Sequence, residues 1–111
     1  MIKTSLLLAI AAQNPNGFTF NLVTNQMQEN GFAVARKETQ NSFGAEGAER
    51  CLEFCLNNDV TCVGGWLDSV TGKYYFDSTE IYYNKLDALR AGAKNAQLAV
   101  FDLNNLQEIR L

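Results

Sequence analysis

The chain has 111 residues, 47% of them hydrophobic and 19% charged, with a net charge of −3 and no histidine. This is the balance of one folded domain rather than a disordered chain, and its acidity argues against wrapping a nucleic-acid polymer, which needs surplus Lys and Arg on one face. Without histidine, Ser-His and Cys-His nucleophile machinery is excluded within one chain, while carboxylate chemistry stays open.

Residues 1–12 carry one Lys, a short apolar run and small residues, a pattern that imitates a secretory signal. The run is far too short to span a bilayer, and it reads as a buried strand, with an uncleaved export signal as the alternative. Asn14-Pro15-Asn16-Gly17 is a turn signal. In residues 18–23, Phe18, Phe20 and Leu22 alternate with Thr19, Asn21 and Val23, which predicts a half-buried strand. A polar loop over 24–31 leads to a third strand with Phe32 and Val34 on one face.

Residues 37–44 form an unusually polar connection, a functional loop or a helix cap, with Asn41 or Ser42 placed to cap the next helix. That helix is predicted over 45–57, its inward stripe Ala48, Cys51, Leu52, Cys55 and Leu56. Gly47 makes its start marginal. Cys51, Cys55 and Cys62 are odd in number, fit no zinc spacing and lack a fourth ligand, so they read as reduced, buried small hydrophobes and no metal site is expected.

The organising stretch is residues 63–78, two strands joined across a turn within Asp68-Ser69-Val70-Thr71-Gly72. A loop of about four residues sets Asp68 opposite Lys73, Leu67 opposite Tyr74, Trp66 opposite Tyr75 and Gly65 opposite Phe76. Leu67, Tyr74 and Phe76 then share a core face. Trp66, Asp68, Tyr75 and Asp77 share an aromatic, acidic face that suits a ligand surface or a wetted side of the sheet. Gly64 and Gly65 mark a bulge or a close backbone approach. Beyond the hairpin, Asn84 caps a second helix running to about residue 96, with Leu86, Leu89, Ala93 and Ala96 at helical spacing. Residues 98–103 read as a short strand central in the sheet, and 106–111 as a terminal extended piece. The expected fold is a single α+β domain over 1–111, a largely antiparallel or mixed sheet of about six strands with two helices packed on it. No phosphate-cradling glycine loop is present.

The segments Thr39-Gln40-Asn41-Ser42-Phe43-Gly44, Val63-Gly64-Gly65-Trp66, residues 72–78, residues 99–103 and Glu108-Ile109-Arg110 resemble small proteins of phages and mobile elements. Most of the chain takes part, and among characterised groups it is most similar to the Thoeris anti-defence sponge family. That resemblance implies a protein that sequesters cyclic ADP-ribose isomers made by host immune enzymes, in some members also cyclic oligonucleotides, without cleaving them. It implies an oligomer, working in the cytoplasm of the infected bacterial cell, with no cofactor and no membrane attachment. It places ligand contacts at Asn95 and at Ile109-Arg110, with Tyr83 as the aromatic before the helix. The chemistry of an anionic purine ligand asks for the same residue types: Arg110 for phosphate, Tyr82 and Tyr83 for stacking, and Asn95 for an amide that donates and accepts. The plain alternative is that Arg110 neutralises Glu108, the tyrosines fill the sheet and Asn95 ends a helix. Two other functions stay open, a protein-binding inhibitor of host defence of the anti-CRISPR or anti-restriction kind, and a small RNase using Lys37, Glu38, Asp68 or Asp77.

Overall fold

A computed structural model describes residues 2–111 and has three helices and eight strands in an α+β domain. The first element departs from expectation. Residues Thr4–Gln13 form helix α1, not a buried strand; Met1, which begins the predicted segment, lies outside the described residues. The reason is composition: a run of Leu and Ala interrupted by Ile10 alone favours helix over strand. Asn14 closes its last turn, its side-chain amide donating to the Ile10 carbonyl at 2.8 Å, and Pro15 stops it. Leu7 and Ala11 are buried in the main core with α2.

The strands are β1 (Phe18–Asn21), β2 (Gln26–Met27), β3 (Phe32–Ala35), β4 (Ser42–Phe43), β5 (Cys62–Leu67), β6 (Tyr74–Tyr82), β7 (Ala99–Asp102) and β8 (Gln107–Arg110). They form one sheet in the order β2-β1-β5-β6-β3-β7-β8, with β4 also on β6, and every pairing is antiparallel. With the first expected strand replaced by α1, the count still rises from six to eight because the terminal extended piece pairs as β8 and short pairings form inside polar loops, β2 in residues 24–31 and β4 in residues 37–44. The β5–β6 hairpin sits at the middle, in the predicted register: Gly65 opposes Phe76, Trp66 opposes Tyr75 and Leu67 opposes Tyr74. Asp68 closes the turn by accepting from the Val70 N–H at 3.0 Å and the Thr71 hydroxyl at 3.1 Å. Gly64 and Gly65 mark close approach without a bulge, because a Cβ on Gly65 would lie 2.4 Å from the Phe18 ring. The expected central strand β7 is instead second from the edge, covered on one face only.

Helix α2 (Gly44–Asn58) runs close to its predicted span, but neither Asn41 nor Ser42 caps it; the cap position is Phe43, with no side-chain bond. Both polar residues belong to the connection, which is latched from the helix. Arg50 donates to the Glu38 carbonyl at 2.6 Å, the Gln40 carbonyl at 3.1 Å and the Ser42 hydroxyl at 3.0 Å. Beneath it, Thr39 accepts from the Ser78 N–H at 3.0 Å, and the Ser78 hydroxyl donates to the Cys51 carbonyl at 2.8 Å. Leu56 is exposed rather than inward, while Cys55 beside it is buried in the core. In helix α3 (Lys85–Lys94) the Asn84 side chain accepts from the Asp87 N–H as expected. The inward stripe, however, is Ala88, Leu89, Ala91 and Gly92, with Leu86 exposed; the helix packs so closely that a Cβ on Gly92 would meet Val100 at 2.7 Å.

All three helices cover one face of the sheet. Side chains alternate along a strand, and the helix-side clusters take Val63, Phe76, Val34 and Val100. Their neighbours Gly64, Trp66, Asp77, Ala33, Ala35 and Phe101 therefore face the other way. Among the described residues, no helix is long and apolar enough to cross a membrane.

Candidate functional site: a cleft on the helix-free face

The uncovered face is concave. It holds a cleft of about 860 Å³ whose lining includes both Met27 and Gln28 near one sheet edge and Glu108 on the other, so the twisted sheet curls until its edges look at one another. The floor is built from small residues, Thr19, Ala33, Ala35, Gly64 and Ala99, and the walls from Trp66, Met27, Phe101 and Leu106. Small side chains at the middle of several adjacent strands are what hollow this face, because nothing larger fills it from above.

At the centre of the floor lies Asp77. It pairs across the hairpin with Gly64 and accepts a hydrogen bond at Oδ1 from the Thr79 hydroxyl. Oδ2 has no hydrogen-bond partner among the described residues. Gly64 leaves room for this pair: a Cβ would come within 2.9 Å of Asp77 Oδ1 and 3.1 Å of Thr79 Oγ1, and the two side chains would have to shift. Burial pushes the Asp77 carboxyl above the ordinary aspartate range, and the Thr79 bond only partly offsets it. The lining contains no Lys or Arg.

Beside the cleft, rings continue along the same face. Trp66 stacks on Tyr75 with centroids 5.0 Å apart, Tyr75 meets Phe43 edge-on at 5.6 Å, and Lys73 Nζ sits 4.2 Å over the Phe43 ring. Trp66 is 50% exposed, so one side of its indole is free for a flat ligand.

The five residues proposed from sequence are not brought together in this chain. Tyr82 and Ile109 pack under α3 on the opposite face, where the Tyr82 hydroxyl donates to Glu80 at 3.0 Å. Tyr83 is 72% exposed and its hydroxyl accepts from Gln28 at 3.2 Å. Asn95 is buried at the end of α3, its amide donating to the Ala91 carbonyl and its oxygen accepting from the Lys37 N–H, so both groups are already used. Arg110 stands on the cleft-bearing face: it pairs in register with Ala99 of the floor and binds Glu108 of the lining at 3.0 Å. Its side chain is 75% exposed, and among the described residues it covers no aromatic ring.

The four residues considered for RNA cleavage are likewise separated by their partners. Glu38 is held by Arg36 at 2.8 Å, Asp68 by the hairpin turn and Asp77 by Thr79, while Lys37 is exposed. The three cysteines are free and buried, with burial pushing Cys51 and Cys62 up to about 11 and Cys55 upward too. Among the described residues, no group of three His, Cys, Asp or Glu side chains is placed to hold a metal.

Sequence reasoning singles out Trp66, Tyr75 and Asp77 as a candidate ligand face but misses Thr79, Ala33, Ala35 and Phe101. The available signal is the row of Ala, Gly and Thr alternating with large residues in four separate strands. No protein-family model, no curated protein and no solved structure matches this chain.

Proposed function

We propose that the protein is a non-catalytic binding protein that sequesters a cyclic adenine nucleotide of the cyclic ADP-ribose type, or a cyclic oligonucleotide, in the helix-free cleft. The carrying observation is the cleft itself, whose volume of about 860 Å³ falls in the roughly 300–1,000 Å³ range of small-molecule sites. Its shape suits a flat base set against Trp66 or Phe101 over a floor of small residues. The acidic, cation-free lining directs a phosphate outward, toward Arg110 at the margin. An ion pair as exposed as Arg110–Glu108 contributes little, so a phosphate can recruit the guanidinium at small cost. This reading keeps Arg110 from the resemblance and moves the base away from Tyr82, Tyr83 and Asn95. The ligand is an immune signal made in an infected bacterial cell, which places the protein in that cytoplasm.

The test uses the single tryptophan. Titration with cyclic ADP-ribose isomers is expected to change Trp66 fluorescence, and filtration followed by heating is expected to return the isomer intact in the mass spectrum. Failure to retain any isomer, or release of a cleaved product, defeats the proposal.

The sponge reading includes a homo-oligomer. A second copy laid across the bare face would cover Phe43, Trp66 and Phe101, which a single chain leaves in water. Light scattering at rising concentration is expected to show a species larger than 12.3 kDa; a monomer throughout removes this part. The ring row Phe43–Tyr75–Trp66 also favours a second reading, in which a host defence protein docks there and is inhibited. Recovery of one dominant host protein, abolished by Trp66→Ala, would select that reading over the sponge.

A further inference from the structure

We propose that Asp77 meets the ligand as a neutral carboxylic acid and reads the adenine edge, donating from Oδ2–H to a ring nitrogen beside C6 and accepting the 6-amino hydrogen at Oδ1. The inference rests on the nucleotide reading above and names the group that selects the base. Its geometry is that of the cleft floor. The Thr79 hydroxyl donates to Oδ1, which marks that atom as the carbonyl oxygen and leaves it a second lone pair. Oδ2, without a partner among the described residues, then carries the proton. A donor and an acceptor on one carbon match adenine, whose amino group adjoins an acceptor nitrogen; Asn and Gln make an analogous pairing, to the amino group and N7, when they read adenine in DNA. Gly64 secures the arrangement, since a Cβ 2.9 Å from Oδ1 would displace the carboxyl.

Apart from the Thr79 hydroxyl, whose bond to Oδ1 lowers the pKa, nothing nearby favours the ionised form. Across from Asp77, β5 presents Gly64 and β1 presents Thr19, while β3 presents Ala33 and Ala35. The remaining ionisable group of the lining is Glu108, itself an anion paired with Arg110. Under the sheet lie the thiols of Cys51 and Cys55, which burial keeps protonated and neutral. Arg36 is engaged with Glu38 and Glu80 on the helix side, and exposed Lys37 is no part of the lining. Burial accordingly raises the carboxyl's pKa. The sign is fixed by linkage: a folded pKa above the unfolded one gives a contribution to stability that is complete below the unfolded value and is lost as pH rises through the folded value. Base recognition should fade over the same upper interval.

The experiment titrates the full chain and two variants with cyclic ADP-ribose isomers between pH 5 and pH 9, following Trp66 fluorescence, with thermal melting of each protein as a control. For the unmodified protein, affinity is expected to fall toward high pH by about tenfold per unit once the acid ionises. Asp77→Asn, which keeps a donor and an acceptor, is expected to bind within about threefold of the low-pH value and to lose the pH dependence. Asp77→Ala is expected to bind about 10- to 100-fold more weakly at pH 5, the scale of one bidentate base contact. Unchanged affinity across the range in the unmodified protein overturns the Asp77 assignment while nucleotide binding stands, and so does an Asp77→Asn loss as deep as that of Asp77→Ala. Should no isomer bind the unmodified protein at any pH, the functional reading fails first and the Asp77 assignment with it.

Discussion

Leu7→Ala is expected to destabilise the protein by about 3 kcal/mol, the cost of a large-to-small change at a fully buried site. Leu7 has no exposed surface and lies in the main core with Ala11, Cys51, Leu52 and Phe76. Truncation removes apolar contact from α1, α2 and the sheet together, and α1 is too short to remain helical without that contact. Urea denaturation with an unchanged slope and a lowered midpoint is the measurement. The variant also separates the two readings of the first residues: a leader resting loosely on the surface would tolerate alanine with little change. A loss near the expected size makes α1 part of the fold.

Gly47→Ala is expected to cost about 2 kcal/mol, the reverse of the usual rule. In an ordinary helix interior, alanine is better than glycine by about 1 kcal/mol. Here β4 runs into α2 with no linker, so position 47 faces the strand it has just left. A Cβ there would come within 2.4 Å of the Ser42 carbonyl carbon and 3.1 Å of its Cα and oxygen. Those are backbone atoms, held by Ser42 pairing with Phe76 and by the Arg50 latch. Relief would require shifting the strand or the helix, and overpacking of this kind costs about 1–3 kcal/mol. A stabilised variant in thermal or urea unfolding would mean that α2 does not begin against β4.

The central hairpin is legible in the sequence because several local signals agree: turn residues at 68–72, strand formers on both sides and opposite charges at its closing pair. The register of Trp66 on Tyr75 comes from loop length alone. Segment 4–13 is harder, because a short apolar run has no periodicity that separates a buried strand from a helix; its Leu and Ala content carries the answer. The short strands β2 and β4 escape a sequence reading because tertiary pairing, not propensity, creates them inside polar loops. The inward stripe of α3 is displaced by small residues: Ala88 and Gly92 bring the helix close to the sheet, and the larger Leu86 points away.

The binding face is half legible. Alternation places Trp66, Tyr75 and Asp77 on one side, yet a cavity is an empty space, and it arises where small side chains from distant strands become neighbours. Ala33, Ala35, Gly64 and Ala99 are unremarkable in the chain and meet only through the order β5-β6-β3-β7. Asp77 is unusual for its surroundings alone. Asn95 and Arg110 illustrate the converse, since residue types suited to a nucleotide go to a helix end and to a solvent-facing ion pair.

The sealed thiols have a practical corollary. With Cys51 and Cys62 pushed up to about 11 and all three sulfurs inside the core, the folded molecule offers alkylating reagents almost no thiolate. A cysteine introduced at the mouth of the cleft would be the one fast-reacting position, so a dye or a spin label attaches to a single chosen point without first stripping the native sulfurs from the chain.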